Sequence, residues 1–481
     1  MIGSAVHTGA SMQAHTQISS SGRTLLCVDF GTSAIKAGCI SYNGVLQDFE
    51  YERLPQAKDA DGFSAEVWTT RFSRLLGRMR LLDSVSAVII SGNGPTIVAV
   101  DNNGQALDPV MLWFDGHDRR IDGQPSFFLP KVAWFAGQHR DAFARTRWFL
   151  SCPEYISYCL SGVPTTITPS DEFVRYIWSG DGIEAYGLDQ RTFPRYVRIG
   201  ETIGRVTEAA ARVFAIPTGV PVIAGGSDFL MSLIGTATVK PGRTCDRAGT
   251  SEGINYCSAG AVSDERLRCL PHAIDGMYNV AGILSSTGRI FEWFRDISGQ
   301  HEVSYAEMLR SITELPQDRH IPWFFPTIRD GAAWEFSRGM FIELGAQHGT
   351  AEMGKAVVES IGFAVRASVE ILEQAGCPIS ELRVSGGQAK NQQWNQMKAD
   401  IIGKPVLVGQ VADAEIMGNA CAGLVGMGHF AGLVEAAEAL YTVSARFEPD
   451  GPSHQRYSED YARYCAAYET FRHALRDCFA L

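Results

Sequence analysis

Two short stretches of the chain place Gly-Thr-Ser where an anion could be held. The first is Leu25-Leu-Cys-Val-Asp29-Phe-Gly31-Thr32-Ser33-Ala-Ile-Lys36-Ala-Gly-Cys-Ile40. Leu25 to Val28 is an apolar run of strand length, Gly31 lies in a polar turn, and Ile35 to Ile40 reads as a returning strand. The backbone N–H groups and hydroxyls of such a turn can face an anion. Asp29, at the strand end, is placed to hold a cation beside it, because a carboxylate next to a phosphate-sized pocket needs a metal to neutralise both. Taken alone, the stretch reads equally well as an ordinary hairpin with Asp29 as a turn residue. The second stretch, Arg247-Ala-Gly249-Thr250-Ser251-Glu-Gly-Ile-Asn-Tyr, repeats the turn 218 residues later. A turn that recurs once per half predicts two similar domains, each offering one hairpin to a shared cleft. The chain contains no G-x-x-x-x-G-K-[ST], and no G-x-G-x-x-G follows a strand, so P-loop and dinucleotide fingerprints are excluded.

Three other places carry chemistry. Gly219-Val-Pro-Val-Ile-Ala-Gly225-Gly226-Ser227-Asp228 is a strand that runs into a glycine turn ahead of a helix-like run, Phe229 to Ile234. Asp228 there is either a helix N-cap or a general base at the cleft edge, since ligands of α/β folds bind at the carboxyl ends of strands. A nearby helix N-terminus would keep it ionised. Val110-Met-Leu-Trp113-Phe-Asp115 delivers an aromatic ring and a carboxylate at a strand end, with His117, Asp118, Arg119 and Arg120 following. Leu382-Arg-Val-Ser-Gly386-Gly387-Gln-Ala-Lys390-Asn391 passes from strand through adjacent glycines to helix, which lets a flat ligand approach the backbone or simply turns the chain.

The elements that must position these residues alternate between strand and helix, the mark of an α/β architecture. Glu66 to Leu82 has helical spacing. Ser86 to Ser91 and Thr96 to Asp101 read as strands. Residues 130–178 are aromatic-rich and mostly helical in pattern, with Trp134, Trp148 and Trp178 expected in the core. Lys36 is expected either near the anion or solvated on its hairpin. Lys240-Pro241-Gly242 is the expected domain boundary. A helix capped by Thr350 runs to Gln374, Trp394, Met397 and Ile401 share the face of another, and a terminal helix spans Tyr457 to Phe479.

Composition sets the class. The chain has 481 residues, 45% hydrophobic and 20% charged, with a formal charge of -11. That is ample for two cores, and an acidic balance gives no drive towards nucleic acid or an anionic membrane. No apolar run approaches the ~20 residues of a spanning helix. Residues 1–22, rich in Ser, Gly and Thr, lack a secretion signal and read as a flexible leader. Eleven cysteines stand singly without a C-x-x-C, as expected of reduced thiols in a cytoplasmic protein.

Together these landmarks resemble the FGGY family of carbohydrate kinases, from about Leu25 to about Leu475. Asp29 to Lys36 is similar to the family's Asp-x-Gly-Thr-Ser-x-x-x-Lys. Trp113-Phe-Asp115 resembles its Trp-x-Asp, and Gly225-Gly226-Ser227-Asp228 its Gly-Gly-x-Asp. Ala248 to Ser251 resembles the second phosphate hairpin. Gly288 ahead of Trp293, and Ser385 to Asp400, resemble the elements around adenosine. The resemblance implies a two-domain, actin-like, ribonuclease-H-like ATPase fold with an inter-domain cleft. The expected units are residues 23–241, with the sugar site, and 242–481, with the adenosine site. It also implies ATP-dependent phosphorylation of a small sugar or polyol, a ketose such as a pentulose among them. By resemblance, Asp228 is the catalytic base and Asp29 holds Mg²⁺. Gly31, Thr32, Ser33, Gly249 and Thr250 cradle phosphates, with the N–H groups around Gly31 and Gly249 contributing. Gly288, Gly387 and Asn391 bound adenosine, while Asn93, Trp113, Asp115 and Asp228 line the sugar. No nucleic-acid or membrane partner is expected, and a homodimer stays open. Two departures lie on the sugar side. Where the family's xylulose kinases carry Gly-Gln-Met-His-Gly, this chain has Gly92-Asn93-Gly94-Pro95-Thr96, and His117 replaces an arginine after Trp-x-Asp. The rival reading is a non-catalytic, nucleotide-dependent sugar sensor on the same fold.

Overall fold

The computed structural model describes residues 22–55, 63–116, 120–249, 251–316, 319–326 and 339–479. The expected leader, except Gly22, and Thr250, His117 and Arg119 lie outside the described residues.

Leu25, Leu26, Cys27 and Val28 have no exposed surface, so the first apolar run must be covered on both faces. It forms β1 (Thr24–Phe30), the inner strand of a six-stranded sheet with β2 (Ala34–Ser41), β3 (Leu46–Arg53) and β4 (Val85–Gly92). An excursion then builds β5 (Ile97–Asp101), β6 (Ala106–Met111) and β7 (Thr146–Ser151), a three-stranded sheet, and the paired β8 (Thr166–Thr168) and β9 (Tyr196–Arg198). β10 (Thr202–Arg205) and β11 (Pro221–Ser227) complete the first sheet in the order β10-β11-β4-β1-β2-β3.

A second sheet repeats this plan. Its strands are β12 (Thr244–Ala248), β13 (Glu252–Ser258), β14 (Arg268–Pro271) and β15 (Tyr278–Leu284). After the small pair β16 (Trp323–Phe325) and β17 (Met340–Ile342) come β18 (Leu382–Ser385), β19 (Val406–Gly409) and β20 (Val443–Phe447). The order is β14-β15-β13-β12-β18-β19-β20. In each sheet a hairpin's first strand sits centrally, with two antiparallel strands on one side (β2 and β3; β13 and β15) and two parallel strands on the other (β4 and β11; β18 and β19). The two Gly-Thr-Ser turns therefore occupy equivalent corners.

Several elements depart from the sequence expectation. The helix expected over Glu66–Leu82 is Ala65–Leu76 and stops at Gly77, whose N–H donates to Ser73 O at 3.0 Å. Residues 130–178 are less helical than expected, because Thr146–Ser151 pairs with the free edge of β5 and Thr166–Thr168 pairs with β9. Trp178 is buried, whereas Trp134 and Trp148 sit at the core's margin. Thr350 opens its helix rather than capping it: Gly349 precedes it, and its N–H donates to Glu352 Oε2 at 3.0 Å. That helix, Thr350–Gln374, buries Val357, Ile361, Val365, Val369 and Leu372 as its spacing predicts. The terminal helix starts earlier than expected, at Gly451, where Asp450 accepts from the Ser453 N–H at 3.0 Å.

One helix ties the halves together. Ala414–Gly426 comes late in the chain, yet its Ile416, Ala420, Cys421 and Leu424 share a core with Leu25, Cys27, Ile89 and Ile223 of the first sheet. It crosses the helix Asp228–Gly235 at glycine distance: a Cβ on Gly418 would stand 2.0 Å from Met231 O, and one on Gly235 1.9 Å from Ala414 O. Among the described residues no helix is long and apolar enough to cross a membrane.

Candidate active site

The two turns open onto one cleft of about 690 Å³ between the sheets. Gly31, Thr32 and Ser33 line it from one side, and Gly249 and Ser251 from the other. Asp29, Asn93, Trp113, Asp228 and Gly387 line it too. Asp115, Gly288 and Asn391 do not.

The charged centre is built from three places in the chain. Asp29 is buried near the end of β1, directly across the hairpin from Lys36, and accepts from Ser91 Oγ at 2.8 Å. Burial and the nearby Glu415 push its carboxyl up to about 7, against the pull of Lys36. Asp228 opens the helix Asp228–Gly235, where Oδ1 accepts from the Phe229 N–H at 2.7 Å and Oδ2 meets Arg247 Nη1 at 3.3 Å. It is thus the first helical residue, with Ser227 in the cap position. The expectation that the helix end keeps it ionised needs correcting. Burial raises its pKa, with Glu415 adding to the rise, and Arg247 and the Phe229 N–H offset this only in part.

Asp413 and Glu415, at the start of the helix Ala414–Gly426, complete the cluster and were not read from the sequence. Lys36 Nζ reaches Asp413 Oδ1 at 2.9 Å and lies 4.0 Å from Glu415 Oε2. Burial alone would lower the Lys36 pKa, but these carboxylates hold it above the ordinary value, and the lysine is a half-buried member of an ion-pair network. Lys390 also meets Asp413, at 2.9 Å. Glu415 accepts from Ser232 Oγ at 2.8 Å, and its Oε2 has no hydrogen-bond partner among the described residues. From the same helix, Asn419 Nδ2 donates to Ser91 Oγ at 2.9 Å and to Val28 O at 3.0 Å, bracing the strands behind Asp29.

The surplus negative charge around Asp29 suits a divalent cation. Among the described residues no three His, Cys, Asp or Glu side chains form a ready-made metal cluster. Asp29 would therefore hold Mg²⁺ with water and phosphate oxygens supplying the other positions, as this hard, strongly hydrated ion prefers.

The remaining predicted residues divide. Trp113 Nε1 donates to Thr32 Oγ1 at 2.9 Å, joining the proposed sugar wall to the first turn. Asn93 Nδ2 donates to Phe30 O at 3.1 Å, and its Oδ1 is buried without a partner among the described residues. The N–H groups of Gly31 and Gly249 are not free to cradle phosphate: each closes its own turn, donating to Ala34 O and Ser251 O at 2.9 Å. Asp115 stays out of the cleft because it organises its own turn. Its Oδ2 accepts from the Leu112 N–H at 2.6 Å, while Lys131 Nζ donates to Leu112 O at 2.7 Å and Asp115 O at 2.9 Å. Asn391 caps the helix Gln392–Ile402, accepting from the Trp394 N–H at 2.9 Å. Gly288 lies in the first turn of Thr287–Ile297. Gly386 has φ +88°, and a Cβ there would fall 2.3 Å from Ala248 O, so backbone geometry already requires it. Gly387 has open space at that position.

Comparison with known proteins identifies the family and the fold. The family model for the N-terminal domain of FGGY carbohydrate kinases covers residues 119–235, and that for the C-terminal domain covers 247–427. The chain is 25% identical to the xylulose kinase of Staphylococcus epidermidis, over 95% of this chain and 99% of that one. In structure it resembles a xylulose kinase from Rhodospirillum rubrum, with TM-score 0.76 and 20% identity over 94% of this chain and 100% of that one. It also resembles a gluconate kinase from Lactobacillus acidophilus, with TM-score 0.78 and 18% identity over 94% and 98%. The paired sheets are the actin-like ATPase fold. With both halves matched in order and their hairpins facing one cleft, the chain belongs to the FGGY family of carbohydrate kinases, phosphotransferases with an alcohol group as acceptor.

Proposed function

We propose that the protein transfers the γ-phosphoryl group of ATP to a hydroxyl of a small sugar or polyol, with Asp228 as general base. The observation that carries this reading is the shared cleft: Gly31, Thr32 and Ser33 of the first turn, Gly249 and Ser251 of the second, and Asp228 all line it. Lys240–Gly242, between the last strand of the first sheet and the first of the second, is taken as the division between the two domains.

Phosphoryl transfer asks a protein mainly for positioning and charge neutralisation. Thr32 and Ser33 hold the phosphates from one side, Ser251 of the second turn faces them from the other, and Gly387 lets the nucleotide approach the backbone. Asn93 and Trp113 orient the acceptor. Asp228 takes the proton of the attacking hydroxyl as the new O–P bond forms, and ADP leaves with the electrons of the broken bond. Mg²⁺, when bound at Asp29, offsets the charge on the phosphates. Arg247 beside Asp228 favours the ionised carboxylate that a base needs. Closure of the two halves excludes water, so that the acceptor is phosphorylated in preference to water.

The test is ADP release from MgATP across a panel of ketoses and polyols, xylulose included. Release that depends on one acceptor class supports the reading. Binding of nucleotide and sugar with no ADP released would make the protein a sensor instead.

A further inference from the structure

The second sheet turns toward the cleft a face that is cationic and rich in amides. Cross-strand register puts Arg268 of β14 in one row with Ala281 and Asn255. Asn279 and Arg247 stand in the rows on either side, and all of these line the cleft. Asn279 Nδ2 donates to Asn255 Oδ1 at 3.1 Å, and Asn255 Nδ2 donates to Gly253 O at 2.6 Å. The two buried amides thus form a chain across β15 and β13. Asn279 Oδ1 is left without a hydrogen-bond partner among the described residues, a condition that is expensive for a buried acceptor. Arg268 makes no ion pair with a described carboxylate. Arg268 is an exposed residue on the lining of the cleft, open to a ligand.

This wall is placed on the acceptor side of the cleft. The strand order runs β14-β15-β13-β12-β18, and the phosphate turn and Gly387 lie at its β12–β18 end. Arg268 stands on β14, at the opposite edge. Its near neighbour Leu270 packs with Phe173, Ile177 and Phe229 of the first half, beside Asp228. At the other end of the wall Arg247 pairs with Asp228 itself.

We propose that this wall binds the acceptor, and that the acceptor is a short polyhydroxylated chain bearing an anionic group, a carboxylate or a phosphate ester. Arg268 pairs with the anion, because a guanidinium open to the cleft matches two such oxygens at once. The unpartnered Asn279 Oδ1 accepts from a hydroxyl, and Asn255, already bonded to Asn279 and Gly253 O, holds that amide in place. The inference rests on the kinase reading and narrows it.

Matched acceptors test it: glucitol, gluconate and glucitol 6-phosphate, and the five-carbon set xylitol, xylonate and xylitol 5-phosphate. Each is assayed by ADP release and by calorimetric binding, with wild type, Arg268→Gln and Arg268→Lys. One charged form should exceed its neutral partner at least tenfold in kcat/KM, and which form does so separates carboxylate from phosphate. Raising the salt should shrink the advantage. Arg268→Gln should cut the preference about tenfold or more through KM, and Arg268→Lys should restore part of it. A neutral acceptor preferred over both charged forms overturns the proposal, as does a preference that survives Arg268→Gln. So does a change confined to the KM for ATP. If neutral ketoses are phosphorylated and no charged acceptor is, this inference fails while the kinase reading stands. If nothing in either class is phosphorylated, both fail.

Discussion

Asp228 and Arg247 come from opposite sides of the cleft and meet at 3.3 Å. A carboxylate works as a base only when ionised, and burial pushes this one up. Arg247 is the strongest opposing influence, so removing its charge lets the pKa rise further. Arg247→Gln should therefore move the acid limb of the kcat/KM profile to higher pH. A pH–rate series on both proteins checks this, and an unmoved limb would show that Asp228 does not report the limiting ionisation. A second cluster sits on the core side of the same hairpin. Lys398 is fully buried, paired with Asp246 and, at 2.7 Å, with Glu252. Burial and Glu252 raise the Asp246 carboxyl to about 8, against Lys398. Lys398→Met would leave two buried carboxylates with no cation. It should cost about 3–5 kcal/mol of stability, read as a lower urea midpoint. A variant as stable as wild type would mean that these acids take up protons at little cost.

The helices Asp228–Gly235 and Ala414–Gly426 act as a pair, since one carries the proposed base and the other Asp413 and Glu415. Their glycine contacts leave no room for a side chain. Gly418→Ala would put a methyl group 2.0 Å from Met231 O. It should cost about 1–3 kcal/mol through overpacking and lower kcat by moving Asp228. Thermal melting and steady-state rates on one preparation check both, and full stability with full rate would show that the crossing yields freely. Periodicity could not reveal the second helix. Residues 414–424 are all buried, so no polar face alternates with an apolar one. Thr146–Ser151 was hidden for a different reason: it becomes a strand by pairing with β5, a partner distant in sequence that local pattern does not display.

For the whole molecule, the repeated Gly-Thr-Ser was legible because a tight turn needs particular residue types at fixed spacing, and two copies announced a duplicated sheet. What stayed illegible depended on the third dimension. Asp413 and Glu415 become site residues only because a late helix packs back on the first sheet. Asp115 and Asn391 have the right residue types for ligand contact, but one oxygen of each is engaged in a turn or a helix cap. The central claim is that one carboxylate in this cleft takes the acceptor's proton, and kcat of Asp228→Asn for ADP release with a working acceptor tests it most directly. General base catalysis is worth about 10²–10⁴-fold, so kcat should fall by about that factor while the melting temperature and nucleotide binding hold. Turnover close to wild type in a folded Asp228→Asn protein would contradict the account.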